Sequence, residues 1–152
     1  MDVFDTNIWV YGITGRIHDA KQLIEDVVQG GREVTVSPYI YQEVIDAFRG
    51  SYNSHEADRH MNDFAALLLN TSNIHDPNYT QVRNIDVNQV RQKTSINLIS
   101  TSFGIQSKDV PVVCTAYEHI AHSPTIYTND RPFSSFNPSR YNLSNITMVY
   151  VN

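Results

Sequence analysis

The sequence contains few or none of several features, and each absence excludes a class of protein. It has one cysteine, Cys114, in 152 residues, so neither an intrachain disulfide nor a cysteine-based zinc site can form. No stretch approaches the roughly 18 consecutive apolar residues of a membrane-spanning helix, and the N-terminus lacks the basic and apolar segments of a secretory signal. These absences predict a soluble protein of the reducing cytoplasm, with no membrane partner.

Basic residues are also scarce. Lysine and arginine together number 11 against 16 aspartates and glutamates, and the net charge at pH 7 is -5. Because the phosphate backbone attracts a basic surface, this balance argues against indiscriminate binding to nucleic acid. Any contact with nucleic acid must therefore depend on a local patch.

The rest of the composition is that of a globular protein. Hydrophobic residues make up 41% of the chain and charged residues 18%, and no repeat or linker divides it. A chain of this length can bury a sizeable core. We therefore expect a single domain over residues 1–152.

Hydrophobic periodicity predicts strands that alternate with helices. The strands are expected at 1–5, 32–36, 125–130 and 146–151. The helices are expected at 6–29, 38–48, 56–70, 85–104 and 108–121, with an exposed loop at 71–81. This order predicts an α/β fold with a mainly parallel sheet and helices on both faces. In such sheets ligands bind beyond the carboxyl ends of the strands.

Helix-capping signals support several of these boundaries. Ser37 precedes Pro38, which is the order expected of an N-cap and a first helical residue. Ser107 is predicted to cap the helix that has Pro111 in its first turn. Gly104 is predicted to end the helix before it.

Four acidic residues stand where such a fold builds a site or a core. Asp5 lies at the carboxyl end of the first strand, and Asp130 lies just beyond "TIYTN" at 125–129. Glu43 falls within the apolar stripe of its helix, and Asp109 lies four residues before an inward-facing valine. A charge kept from water is costly, so Glu43 must be neutralised, reach the surface or meet a cation.

Each aspartate also has a purely structural interpretation. Asp5 can be the N-cap of a helix that begins at Asn7, and Asp109 can favour the positive end of a helix dipole. Asp130 can be an ordinary turn residue. Glu43 is the hardest of the four to explain in this way, and one common cause explains all four.

A divalent cation is that cause. If the first strand neighbours the strand at 125–130, the four carboxylates converge, and like charges ~4 Å apart repel by about 4 kcal/mol at an effective dielectric constant of 20. A cation removes this conflict. A set of oxygen ligands without His or Cys favours Mg²⁺ or Mn²⁺ over zinc, and such ions support displacement at phosphorus.

The ordered set of motifs resembles that of PIN-domain nucleases, in particular the small VapC-type ribonuclease toxins of toxin–antitoxin pairs. The motifs are "DTN" at 5–7, Glu43, "KDVPVVCTA" around Asp109 and "YTNDRPF" around Asp130. The resemblance runs from near residue 2 to about residue 133 in order and spacing. It implies a PIN-like three-layer α/β/α sandwich, RNA cleavage that depends on Mg²⁺ or Mn²⁺, homodimers, and a small antitoxin that covers the site.

The resemblance also implies residue roles. Its metal-binding and catalytic acids match Asp5, Glu43, Asp109 and Asp130. Thr6, Asn7 and Thr128 match the flanking positions, and we expect the two threonines to orient carboxylates, with strand-end capping as the alternative. Lys108 and Arg131 each adjoin an expected ligand and are the candidates for contact with RNA.

Departures from the family pattern leave other functions open. Pro132 stands where many relatives carry a second acid, and Pro111 stands where a non-proline is usual. A catalytically degenerate PIN module that binds RNA or a protein partner is therefore one alternative, and a housekeeping RNA-processing nuclease is another. A phosphoacceptor switch ranks last, because it needs a lysine on a late strand and no lysine follows Lys108.

Overall fold

A five-stranded sheet forms the centre of the protein. The computed structural model describes residues 1–75 and 85–152. The strands are β1 (Asp2–Phe4), β2 (Val34–Thr35), β3 (Ile74–His75), β4 (Thr125–Thr128) and β5 (Thr147–Tyr150). Their order in the sheet is β3-β2-β1-β4-β5, and every pairing is parallel. The sheet is therefore fully parallel over the described residues, where the sequence predicted a mainly parallel one.

Helices supply the connections between these parallel strands. In the described part of the chain they are α1 (Thr6–Thr14), α2 (His18–Val28), α3 (Pro38–Ser51), α4 (Ser54–Asn70), α5 (Val87–Gln92), α6 (Thr94–Phe103), α7 (Val110–Tyr117) and α8 (Arg131–Ser134). Short 3₁₀ turns cover Ile120–His122 and Pro138–Tyr141. Within residues 1–75 and 85–152, every helix is too short or too polar to cross a membrane.

Two predicted helices are each interrupted. Gly15 ends α1 in the left-handed conformation with φ of +72°, so the segment predicted as one helix at 6–29 is α1 and α2. Lys93 has an extended backbone with ψ of 139°, which separates α5 from α6 within the predicted helix at 85–104. Gly104, with φ of +67°, ends α6 as predicted.

The capping predictions have different outcomes. Ser37 caps α3, and its hydroxyl oxygen accepts a hydrogen bond from the backbone N–H of Ile40 at 3.2 Å. Ser107 does not cap α7, because that helix begins at Val110 and Asp109 occupies the N-cap position. Pro111 does lie in the first turn of α7, as expected.

The predicted loop at 71–81 is wrong in part. Its residues Ile74–His75 form β3, which pairs with β2 at the edge of the sheet. The strand is only two residues long and only Ile74 is buried, so it leaves no periodic pattern in the sequence. The remainder of the predicted loop, from residue 76 onward, lies outside the described residues.

The core joins the first strand to the helices through aromatic side chains. Phe4 of β1 and Trp9 of α1 have ring centroids 5.2 Å apart, and Trp9 lies 5.5 Å from Phe64 of α4. All three are fully buried. The packing of Trp9 fixes α1 directly behind the end of β1, which is where the candidate site begins.

Substitution of Gly12 is expected to destabilise this arrangement. A Cβ atom at Gly12 would lie 2.9 Å from the carbonyl oxygen of Ala20 on α2, so Gly12→Ala should lower the free energy of unfolding by about 1–3 kcal/mol. Urea unfolding measures this change. Gly50→Ala is the matched control, since a Cβ there meets open space and alanine favours the helix. Equal stability of the two variants would show that α1 and α2 can separate without cost.

Candidate active site

The site begins where β1 and β4 lie side by side. Val3 pairs with Ile126 and Phe4 with Tyr127 in parallel register, so both strands end at the same edge of the sheet. The backbone N–H of Asp5 donates to the carbonyl oxygen of Tyr127 at 2.9 Å. The adjacency of these strands, on which the predicted convergence of acids depended, is therefore present.

Asp5 is held by both strand ends. Its side chain is buried, with 7% of the residue exposed. Its Oδ1 accepts from the backbone N–H of Thr6 at 2.8 Å, and its Oδ2 accepts from the hydroxyl of Thr128 at 2.7 Å. Asp5 is thus the N-cap of α1, which begins at Thr6 rather than Asn7, and it is also oriented by Thr128. Asn7 is half-buried beside it.

Asp109 reaches the same place from α7. The residue is only 4% exposed, and its side chain makes no capping hydrogen bond to that helix. Burial, together with the negative charges of Asp5, Asp130 and Glu43, raises its pKa to about 7. Burial, together with the charge of Glu43, likewise raises the pKa of Asp5 to about 6. These mutual effects mean that the four acids share one electrostatic environment.

Glu43 meets a cation, but the cation belongs to the protein. Its side chain is 15% exposed and forms an ion pair with the Arg91 guanidinium of α5. The Tyr39 hydroxyl lies 3.0 Å from the same oxygen, Oε2, and the hydroxyl of Thr6 donates to Oε1. The predicted need of Glu43 for a cation is therefore met in the described residues by Arg91.

Asp130 faces a lysine from the segment before α7. The Lys108 ammonium lies 3.1 Å from Oδ2 of Asp130. The other oxygen, Oδ1, accepts from the backbone N–H of Phe133 at 3.3 Å, so Asp130 also caps α8. Arg131 points elsewhere, since its guanidinium lies over the ring of Tyr150 at 4.4 Å. Of the two basic residues predicted to contact RNA, Lys108 is the one beside the acids.

Three of the four acids, together with Arg91 and Lys108, line a cleft of about 350 Å³, here called the acidic cleft. Its lining residues are Asp5, Thr6, Asn7, Glu43, Asp46, Ala47, Arg91, Lys108 and Asp109. A second cavity of about 620 Å³ adjoins it and shares Glu43, Asp46 and Arg91. The acidic cleft therefore opens toward a larger space next to α3 and α5.

The fold can be compared with solved structures at this point. It is similar to a chain in the crystal structure of VapBC2 from Rickettsia felis bound to a DNA fragment from their promoter. The TM-score is 0.57 at 15% sequence identity, and the likeness covers 99% of this chain and 98% of that chain. This chain has the PIN-like fold. The predicted three-layer α/β/α sandwich is thereby confirmed. No protein-family model and no curated protein matches the sequence.

The donor chemistry of the acidic cleft suits a hard divalent cation. Among residues 1–75 and 85–152, no three His, Cys, Asp or Glu side chains are already grouped closely enough to hold a metal ion. Two of the acids, Glu43 and Asp130, are turned toward Arg91 and Lys108. Asp5 and Asp109 remain buried with raised pKa values, and a cation would stabilise their charged forms. The all-oxygen set suits Mg²⁺ or Mn²⁺.

Sequence reasoning missed two residues of the acidic cleft, Arg91 and Asp46, and also Tyr39, which contacts Glu43. Arg91 lies 48 positions from Glu43, and nothing in the local pattern of α5 marks it as a partner. The ring of Tyr39 is buried and its hydroxyl faces Glu43, one helical turn further along α3. Asp46 lies one helical turn after Glu43 and lines the cleft. One signal in the sequence pointed to Arg91. Glu43 lies within the apolar stripe of α3, and a buried carboxylate there required a cation from another part of the chain.

Proposed function

We propose that residues 1–152 act as a single PIN-like domain that cleaves RNA with Mg²⁺ or Mn²⁺. The observation that supports this most strongly is the shared environment of Asp5, Glu43, Asp109 and Asp130 at the carboxyl ends of β1 and β4. Four acids there face only two basic side chains among the cleft residues, Arg91 and Lys108. The excess negative charge calls for a further cation.

The proposed roles follow from the placement of each side chain. Asp5, Asp109 and Glu43 would hold the principal ion, and Asp130 would assist it or a second one. A bound divalent ion would lower the pKa of its water and offset the charge of the phosphate. Thr128 orients the Asp5 carboxylate through its hydrogen bond of 2.7 Å. Either Glu43 or Asp130 accepts a proton from the attacking water.

Lys108 is the proposed contact for the RNA phosphate. Its ammonium lies beside Asp130 at the cleft and is partly exposed, so it can turn from the carboxylate to an incoming phosphate. Arg131, stacked over Tyr150 on the neighbouring surface, is proposed to contact RNA outside the cleft. Both contacts are local, which fits the negative net charge of the chain.

The proposed biological role is that of a cytoplasmic toxin with a small antitoxin partner that covers the acidic cleft, acting as a homodimer. The fold similarity to a chain of the VapBC2 complex supports this role. A short reading frame for a DNA-binding protein immediately upstream of the gene would favour it. The absence of such a frame would favour the alternative of a housekeeping RNA-processing nuclease.

Metal removal tests the proposed activity. The purified protein should cleave RNA in the presence of Mn²⁺ or Mg²⁺, lose this activity in EDTA, and recover it when Mn²⁺ is restored in excess. Gel electrophoresis of a labelled RNA follows the products. Cleavage that persists in EDTA would contradict the proposed mechanism.

A second candidate is a degenerate PIN module that binds RNA or a protein without turnover. The pairing of Glu43 with Arg91 and of Asp130 with Lys108 favours it, because both acids are then already neutralised by the protein. Pro132, where many relatives carry an acid, supports it as well. Tight RNA binding that is insensitive to metal and yields no product would establish this candidate over the nuclease.

A further inference from the structure

The two oxygens of Glu43 are held in different ways. Oε2 accepts a hydrogen bond from Nη2 of Arg91 and lies 3.0 Å from the Tyr39 hydroxyl, so two donors surround it. Oε1 accepts one hydrogen bond, from the hydroxyl of Thr6. Since each carboxylate oxygen offers two lone-pair sites, Oε2 is fully used and Oε1 keeps one site free.

The oxygen with the free site, Oε1, is linked to the aspartate at the end of β1 through Thr6. The Thr6 hydroxyl donates to Oε1 of Glu43, and the Thr6 backbone N–H donates to Oδ1 of Asp5 at 2.8 Å. Arg91 contacts the other oxygen, Oε2.

Arg91 is itself fixed by a second contact. Its Nε–H donates to the Tyr39 hydroxyl at 2.9 Å, and that hydroxyl lies 3.1 Å from the carbonyl oxygen of Lys108. Tyr39 is buried, so the hydroxyl has a defined position. The planar guanidinium thus contacts Tyr39 and Glu43 at once through a rigid fork of N–H groups, a geometry that an ammonium group lacks.

We propose that Arg91 is a positioning residue for metal binding: it holds Oε2 of Glu43 and so presents Oε1, which Thr6 links to Asp5, as a single-oxygen ligand. The proposal rests on the proposed function, since it assigns a role to the same cleft. It differs from simple competition, in which Arg91 would occupy the carboxylate and exclude the ion. Arg91 contacts Oε2 and leaves a lone-pair site on Oε1 available for an ion, and this favours positioning over competition.

The two roles predict opposite effects on metal affinity. If Arg91 competes with the ion, its removal frees the carboxylate and deletes a nearby positive charge, so metal binds more tightly. If Arg91 positions Glu43, its removal lets the side chain rotate and metal binds more weakly in spite of the deleted charge. The sign of the change therefore separates them.

Isothermal titration calorimetry with Mn²⁺ measures this sign on the full chain. Arg91→Met should weaken Mn²⁺ affinity by roughly 10- to 100-fold, the usual effect of losing an outer partner of a metal ligand. Arg91→Lys should also weaken it, because the charge remains but the two-pronged contact is lost. Lys93→Met is the matched control, since it deletes a charge two positions away at an exposed residue and should leave affinity nearly unchanged.

Arg91→Met could weaken Mn²⁺ binding simply by lowering the stability of the fold. A double-mutant cycle with Glu43→Gln separates this effect from a loss of positioning. In the Glu43→Gln background Arg91→Met should no longer weaken Mn²⁺ affinity, because the carboxylate that it positions is gone and only the deletion of a nearby positive charge remains, which favours the ion. Unchanged or tighter Mn²⁺ binding by Arg91→Met in the wild-type background would overturn the inference. If that result accompanies normal metal-dependent cleavage by the wild type, the nuclease proposal stands; a wild type that binds no Mn²⁺ would overturn both.

Discussion

Asp5→Asn is expected to abolish RNA cleavage and, in the same protein, to raise the stability of the metal-free form. The cleavage rate should fall more than about 100-fold, because even outer partners of metal ligands are worth roughly 10- to 100-fold. Stability should rise because burial raises the pKa of Asp5 from 3.8 to about 6. At pH 8 the charged Asp5 therefore destabilises the folded state by about 3 kcal/mol. Asparagine keeps the size of the side chain without this charge.

The opposite signs of the two effects are what make the test specific. An aspartate with only a capping role would lose little on replacement by asparagine, which caps helices about as well. Asp58→Asn, the same change at an exposed position of α4, is the control and should alter neither activity nor stability appreciably. Retained cleavage by Asp5→Asn would point to a contaminating nuclease or another site. Unchanged stability would mean that Asp5 bears no electrostatic cost.

The parts of the fold that follow from local signals were predictable from the sequence. The end of β1 at Asp5 and the end of β4 near Thr128 are visible because apolar runs stop at polar residues there, and the cap at Ser37 is a local motif. Glu43 was recognisable because a charge within an apolar stripe violates the helical pattern. Local rules of this kind placed the candidate acids on the correct elements.

The parts that depend on tertiary contacts were not predictable. The strand β3 is held by pairing with β2 and has one buried residue, so the sequence alone cannot separate it from a loop. Arg91 meets Glu43 only because α5 packs near α3. No glycine or proline at Lys93 indicates that the helix is interrupted there. The interruption separates α5, which reaches the cleft, from α6, which has no buried residue. These features come from packing between distant segments.

The charge arrangement of the cleft differs from the prediction in one respect. The sequence predicted an external cation, and the structure places basic side chains of the protein beside two of the four acids. The two more accessible acids, Glu43 and Asp130, have partners in Arg91 and Lys108, whereas the two buried acids, Asp5 and Asp109, form no ion pair in the described residues. The protein therefore neutralises the outer half of the cluster itself. The inner half is where a divalent ion has the most free energy to gain.

The stability of the metal-free protein should consequently fall as pH rises. Burial raises the folded-state pKa of Asp5 to about 6 and that of Asp109 to about 7, both above the ordinary 3.8. The folded protein then binds more protons than the unfolded chain between about pH 4 and 7, so the stabilisation present at acidic pH is lost as pH rises through 6 and 7. Urea unfolding in EDTA at pH 5, 6.5 and 8 measures the trend.

Saturating Mn²⁺ should reverse this trend, because the ion binds the deprotonated carboxylates of the folded state and so stabilises it most at the alkaline end. The comparison with Asp5→Asn separates the acidic cleft from the other ionisable groups of the chain, which include six histidines. Asp5→Asn keeps every histidine, so the difference between its pH profile and that of the wild type belongs to the acidic cleft. The contrary result is a wild type whose stability in EDTA stays flat or rises from pH 5 to 8, with the same profile in Asp5→Asn. That result would mean that the buried acids do not repel one another, and that no cation is needed to bring them together.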